Sequence, residues 1–484
     1  MSEGPGTGGS ADTSGRAGIP DAAGIPSTAH TIAILGAGGD LTERLLLPGL
    51  GQVVDAGRDV ELRLVGAART PQSREDWQGL VRRSLEAAGV SPHTVRTLAS
   101  TAEFVPTDAS DPAELKALLD ACSTSPVLYI ALPPSMGHKV AAALAQIELP
   151  PELLVAIEKP FGDDLADAEA LNRELAEALA PSGGAEGRLW RIDHFLGNAT
   201  VHGMLGLRFG NALLESAWNR DTVEKVEIVY DEELGLEGRA AFYDHTGALR
   251  DMLQSHLLMV LALTAMERPD AVTSASVHAR VAEVLGAVRV WRDDPSTARR
   301  ARYTEGRVDD RFFPSYADEP DVDGARGTET LAQVLLQVDV PRWEGVPFVL
   351  RSGKAIGSPR AEVALHFRAA SPPAGIAAPA DSPGGTVLRI SLKNGDVDLD
   401  LLVHGSATPD ALERIPLEAR PGEPELGAYA QVLAGILQRD TLPSVPGDVA
   451  EQCWRIVTPI LSAWAAGETP LEEYSAGSAG PTGW

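Results

Sequence analysis

Cysteine is nearly absent: a chain of 484 residues carries two, Cys122 and Cys453, far apart in sequence. Two such thiols make neither a disulfide framework nor a zinc-binding set. They suit a reducing compartment, so a cytoplasmic protein is expected. Nowhere do about 18 apolar residues run together, so no membrane-spanning helix is expected. The first residues lack a charged segment followed by an apolar one, the pattern of a secretory leader. Positive charge is also short. The 41 Lys and Arg stand against 68 Asp and Glu, for a formal net charge of −27. A field of that sign argues against nucleic acid and against anionic membranes as partners. An anionic small ligand would have to be held against the same field. Each Lys or Arg near a candidate site therefore carries more information than usual. Lysine is scarce beside arginine, alanine and 48 glycines, which reads as coding bias, not function.

What is present is ordinary for a soluble globular chain, with 44% hydrophobic and 23% charged residues. The length fits two domains, or one domain with a large appended sheet. Residues 1–29 are mostly Gly, Ser, Ala, Thr and Pro, with AGIP at 17–20 and again at 23–26. No apolar period runs through them, and a disordered tail is predicted.

From residue 30 to about 190, strand-like and helix-like segments alternate. TIAILG, LRLVGAA, PVLYIAL and LLVAIEKP read as buried strands. LTERLLLPGLGQVV, SREDWQGLVRRSLEAA and the stretch 137–146 read as helices. Such alternation predicts a parallel, doubly wound α/β sheet of the Rossmann kind. From 191 to 484 the pattern changes. VEKVEIVYDE, AQVLLQVDV, PFVLRSG, AEVALHF, VLRISL and DVDLDLLV follow one another with little helix between them. An α+β domain with a large, mainly antiparallel sheet is expected there. Helices near 248–265, 426–438 and 449–465 are expected to cover one face of it. The Pro- and Gly-rich stretch 368–385 reads as a loop.

The first strand runs into GAGGDL. Gly36, Gly38 and Gly39 let the backbone approach a pyrophosphate, with Asp40 and Leu41 opening the helix whose N-terminus would hold it. A glycine turn alone also fits a tight turn without a ligand; its place after the first strand of an alternating unit favours a nucleotide. The second strand ends in AART (67–70). An NAD site usually has an acid there for the ribose hydroxyls. Arg69 and Thr70 suit a 2′-phosphate instead, so NADP is favoured over NAD as the cofactor.

Several peptides together resemble the glucose-6-phosphate dehydrogenase family. They are GAGGDLTERLLLPGL (36–50), AART (67–70), YIALPP (129–134), EKPFG (158–162), RIDHFLG (191–197), EGR (237–239), LRDMLQSHLL (249–258), VPFVLRSGKAI (346–356) and YSAGSAGP (474–481). The resemblance implies oxidation of a sugar hemiacetal at C1 to the lactone, with hydride passing to a nicotinamide and no metal involved. It places the substrate between the two domains and implies a homodimer or homotetramer built on the large sheet. It implies that His256 is the general base and that Asp193 orients it, a pairing whose chemistry suits near-neutral pH. It further implies that Lys159 contacts both sugar and cofactor, that Pro160 is a cis proline, and that His194, Glu232, Asp251 and Lys354 bind the sugar. Asn198 stands at the last substrate position of the RIDHFLGN stretch.

Departures from the family pattern cluster at one end of that site. The family usually has Tyr where Phe195 stands and Lys where Asn198 stands, and both bind the 6-phosphate with the His matched by His194. Leu45 and Pro359 also occupy positions that are often basic. Losing two charge-assisted donors to a phosphate costs about 3–5 kcal/mol. The sharper reading is therefore a C1 dehydrogenase acting on a non-phosphorylated or modified sugar. The alternatives are an ordinary glucose 6-phosphate dehydrogenase and a non-catalytic regulatory paralogue; the retained His256, Asp193, Lys159 and glycine turn argue against the last.

Overall fold

The computed structural model describes residues 30–57, 61–122, 125–185, 187–370, 385–404 and 412–484. The expected tail, 1–29, and most of the loop 368–385 lie outside the described residues.

Six parallel strands form the first sheet: β1 (His30–Leu35), β2 (Leu62–Ala68), β3 (Glu103–Pro106), β4 (Pro126–Ile130), β5 (Leu154–Glu158) and β6 (Leu189–Ile192). Their order is β3-β2-β1-β4-β5-β6, the doubly wound order. Both faces are covered, which is why HTIAIL is apolar almost throughout and buried at every position. Ile32 and Ile34 pack on one side with α1 (Leu47–Asp55), α2 (Arg74–Ala87) and α3 (Pro92–Thr101). Ala33 and Leu35 pack on the other with α4 (Pro112–Asp120), α5 (Gly137–Leu144) and α6 (Leu165–Leu179). Side-chain caps start four of these helices: Ser73, Ser91, Asp111 and Asp164 each accept a backbone N–H of the first turn. Strand order reverses between β1 and β4, which opens a crevice at the C-terminal strand ends. The short strands β3 and β6, four residues each, show no period in sequence, and β6 straddles position 190.

The second sheet is larger and mixed, but mainly antiparallel. Its strands run in the order Leu412–Ala419, Val397–His404, Val387–Ser391, Ala361–Phe367, Val223–Asp231, Phe348–Gly353, Leu331–Val338, Arg299–Thr304, Leu471–Ser475. Val288–Val290 pairs with Leu331–Val338 outside that path. Two pairings are parallel: Val223–Asp231 with Phe348–Gly353, and Leu471–Ser475 with Arg299–Thr304.

One expected packing is corrected. The helix Ala428–Gln438 does not cover the large sheet; Leu433 and Ile436 sit in the same core as Ile32 and Leu50 of the first sheet. Gly49 on α1 explains the close fit, since a Cβ there would lie 2.9 Å from Leu433 Cδ1 and 3.2 Å from Ala430 N. The helix Gly447–Ala465 and the helical segment 249–265 share the other core with the large sheet. Residues 249–257 of that segment wind as a π-helix, a form that recurs at functional sites.

Candidate active site

Parts of both sheets meet where the crevice opens. The end of β5 delivers Lys159, the residues after β6 deliver Asp193 and His194, and the π-helix delivers Asp251, Ser255 and His256. The ends of Val223–Asp231 and Phe348–Gly353 add Glu232 and Lys354. The Lys159–Pro160 peptide is cis.

Asp193 and His256 are both fully buried and meet through Asp193 Oδ1 and His256 Nδ1 at 2.5 Å. Oδ1 also accepts the Phe195 N–H at 3.0 Å, and Oδ2 accepts the Ser255 hydroxyl. Burial opposes ionisation of Asp193, but the His256 charge and the hydrogen bonds from His256 and Ser255 outweigh it and hold the carboxyl well below its usual range. Burial lowers His256 below the ordinary imidazole value and the Lys159 charge adds to this, while Asp193 pulls the other way. The imidazole is thus neutral near pH 7, donates from Nδ1 to Asp193, and keeps Nε2 as a proton acceptor. Asp193, His194 and His256 also bring three possible ligand atoms within 4.8 Å of one another. His256 Nδ1 and Asp193 Oδ1 are engaged with each other in the hydrogen bond.

Two acid–lysine pairs line the same space. Lys159 Nζ donates to the Asp251 carbonyl at 2.5 Å and to its carboxylate at 3.2 Å. Burial raises the Asp251 carboxyl, but Lys159 and Lys354 overcome this and bring it to about 2. Lys354 Nζ donates to Glu232 at 2.6 Å and lies 5.2 Å from the centre of the Tyr243 ring. The lysine's backbone is held as firmly. The Tyr474 hydroxyl donates to Lys354 O at 2.7 Å, and Ala355, at φ 51, accepts from Gly477 N at 2.8 Å. The YSAGSAGP stretch therefore braces the turn that carries Lys354.

The glycine turn lies at the end of β1. Gly36 has φ 91, and a Cβ on it would fall 2.2 Å from Ala131 O. A Cβ on Gly38 would come within 3.0 Å of the Gln72 amide. Side chains are excluded from this wall of the crevice, which suits backbone approach to a pyrophosphate. Asp40 is exposed and pairs with Arg44 at 3.5 Å, and Leu41 packs beside the first-sheet core. Arg69 stands exposed just past β2. These residues fit a dinucleotide and would hold its pyrophosphate at Gly36–Leu41.

The structure thus gathers His256, Asp193, His194, Lys159, Asp251, Lys354 and Glu232 round one space. Asn198 is different. Its amide donates to Leu392 O at 2.7 Å and its oxygen accepts from Thr200 N at 3.1 Å, so it caps the helix Ala199–Phe209. This gives the side chain a structural part as a helix cap. Phe195 lies flat on the His256 ring at 4.2 Å and 12°. Sequence reasoning missed Ser255, Tyr243 and Tyr429, whose ring stacks on His194 at 5.2 Å and 13°. Ser255 was findable as the neighbour of His256. Tyr429 lies far along the chain, in a helix expected elsewhere.

A dinucleotide crevice opening onto a buried His–Asp base and two lysines defines a nicotinamide-dependent dehydrogenase. The profile described as glucose-6-phosphate dehydrogenase, NAD binding domain, matches residues 33–203, and that of the C-terminal domain matches 205–484. The glucose-6-phosphate 1-dehydrogenase of Gluconobacter oxydans is 37% identical over 474 residues, covering 93% of this chain and 94% of that one. That of Treponema pallidum is 33% identical over 491 residues, covering 93% and 92%. A solved glucose-6-phosphate dehydrogenase in complex with its substrate glucose-6-phosphate is 27% identical, with a TM-score of 0.83 over 94% of this chain and 96% of that one. The chain belongs to the glucose-6-phosphate dehydrogenase family and is a dehydrogenase of a sugar CH–OH group. The expectation of a non-phosphorylated sugar gains no support from these relatives, whose names and bound substrate favour the ordinary phosphate ester.

Proposed function

We propose that the chain oxidises glucose 6-phosphate at C1 to the lactone, with NADP as the acceptor. The observation that carries this is the buried Asp193–His256 pair, set beside Lys159 and Lys354 at the mouth of the glycine-lined crevice. His256 Nε2 takes the C1 hydroxyl proton as the hydride leaves C1, and Asp193 stabilises the imidazolium. NADP, when bound, accepts that hydride at its nicotinamide. Lys159 and Asp251, with Glu232 and Lys354, hold the ring hydroxyls so that C1 faces His256. Arg69 at the end of β2, where an NAD site carries an acid, supports NADP.

In the same reading the protein is a cytoplasmic homodimer or homotetramer. Adjacent exposed Leu401 (38%), Ile415 (47%) and Leu417 (58%) on the outermost strands of the large sheet support self-association.

Steady-state rates with glucose 6-phosphate and glucose, each with NADP and NAD, test the proposal. The expected result is a kcat/KM at least about 10²-fold higher for the phosphate ester, with NADP preferred. Equal rates for the two sugars would overturn the substrate, preference for NAD would overturn the cofactor, and no turnover at all would favour the regulatory paralogue.

A further inference from the structure

A phosphate dianion held away from water needs charged donors, and the residues expected to supply them are altered here. Phe195 has no hydroxyl, Asn198 caps a helix, and positions 45 and 359 are Leu and Pro. His194 remains, but burial pushes its imidazole down to about 3, so it offers a hydrogen bond without a charge. The nearby cations mostly have acid partners. Lys159 pairs with Asp251, Lys354 with Glu232, and Arg360 lies 3.6 Å from Glu227 and from Glu362.

Arg239, in the EGR stretch, is placed differently. It is the N-cap of the helix Ala240–Ala248, and its carbonyl accepts the Tyr243 N–H at 2.9 Å. Residues one turn apart share a helix face, and the Tyr243 ring on that face lies under Lys354 Nζ. Burial holds the Tyr429 phenol well above its usual range and the Arg239 charge opposes this; the Tyr429 ring stacks on His194. Its guanidinium rests over Phe242, 4.9 Å from the ring centre, and no carboxylate pairs with it among the described residues. Arg239 is therefore an exposed cation without a carboxylate partner among the described residues, one helical turn from the Tyr243 ring under Lys354.

We propose that Arg239 binds the substrate's 6-phosphate in this chain, in place of the lysine and tyrosine that positions 198 and 195 lack. This rests on glucose 6-phosphate being the substrate. The guanidinium fork matches two phosphate oxygens at once, and the neutral His194 imidazole adds an uncharged hydrogen bond. Arg239→Ala and Arg239→Lys in the full chain test it, with rates on glucose 6-phosphate and on glucose, and NADP affinity by calorimetry as the check on folding. The ratio of kcat/KM for glucose 6-phosphate to that for glucose falls about 10- to 100-fold in Arg239→Ala, mainly through KM, and recovers partly in Arg239→Lys. NADP affinity stays at the wild-type value. An unchanged ratio in Arg239→Ala, beside a wild type that prefers the phosphate ester, overturns Arg239 alone. Weakened NADP binding with an unchanged ratio would assign the arginine to the cofactor and also overturns it. A wild type without that preference overturns the substrate reading, and the Arg239 assignment with it.

Discussion

Replacing Asp193 with Asn isolates what the carboxylate's charge contributes. The substitution keeps the shape of a fully buried side chain that receives three donors: His256 Nδ1 and Phe195 N at Oδ1, and the Ser255 hydroxyl at Oδ2. Two N–H groups converge on Oδ1, so the amide oxygen settles there and the NH2 faces Ser255, whose hydroxyl turns to accept. His256 therefore keeps its tautomer, with Nδ1 protonated and Nε2 free. What is lost is the negative charge beside the imidazolium that forms as the C1 proton arrives. Unit charges about 4 Å apart at an effective dielectric near 20 interact by about 4 kcal/mol, or about 10³ in rate. The proton is only partly transferred at the transition state, so kcat should fall about 10²- to 10³-fold. The assay is steady-state nicotinamide reduction with saturating sugar phosphate and NADP, alongside NADP affinity by calorimetry, which should not change. A kcat within about threefold of wild type would refute the role given to Asp193.

Two other perturbations read different parts of the site. Burial lowers the His256 pKa below 6.5 and the base works neutral, so the acid limb of kcat/KM should be centred below pH 6.5. An acid limb centred at or above 6.5 would contradict this. Tyr474→Phe removes the hydroxyl that holds Lys354 O at 2.7 Å and meets Thr330 Oγ1 at 2.9 Å. It should raise the sugar KM about 5- to 10-fold with kcat nearly unchanged, and lower stability by about 1–2 kcal/mol; a stability loss with unchanged KM would leave the C-terminal brace without a part in binding.

The parallel sheet was legible because its long strands are apolar runs ended by glycine turns, as in TIAILG before Gly36. Strands β3 and β6 were not, because four residues at an edge or at a junction carry no period. The helix Ala428–Gln438 has an apolar face that reads the same against either sheet. Gly49, 379 residues before Ala428 in sequence, admits it close beside α1. The buried Asp193–His256 pair was legible through the RIDHFLG and LRDMLQSHLL stretches. Its support was less so: Tyr429 and Tyr474 act through stacking and a backbone contact, and neither leaves a spacing in sequence. Asn198 shows the reverse case, since a side chain at a substrate-binding position in the motif proves to be a helix cap.

The most direct test of His256 as the base at C1 is the kcat of His256→Asn with glucose 6-phosphate, measured beside its NADP dissociation constant. A loss of about 10²- to 10⁴-fold in kcat with NADP affinity intact is the expected result. Turnover at the wild-type rate in that variant would contradict the assignment and require another group to take the C1 proton.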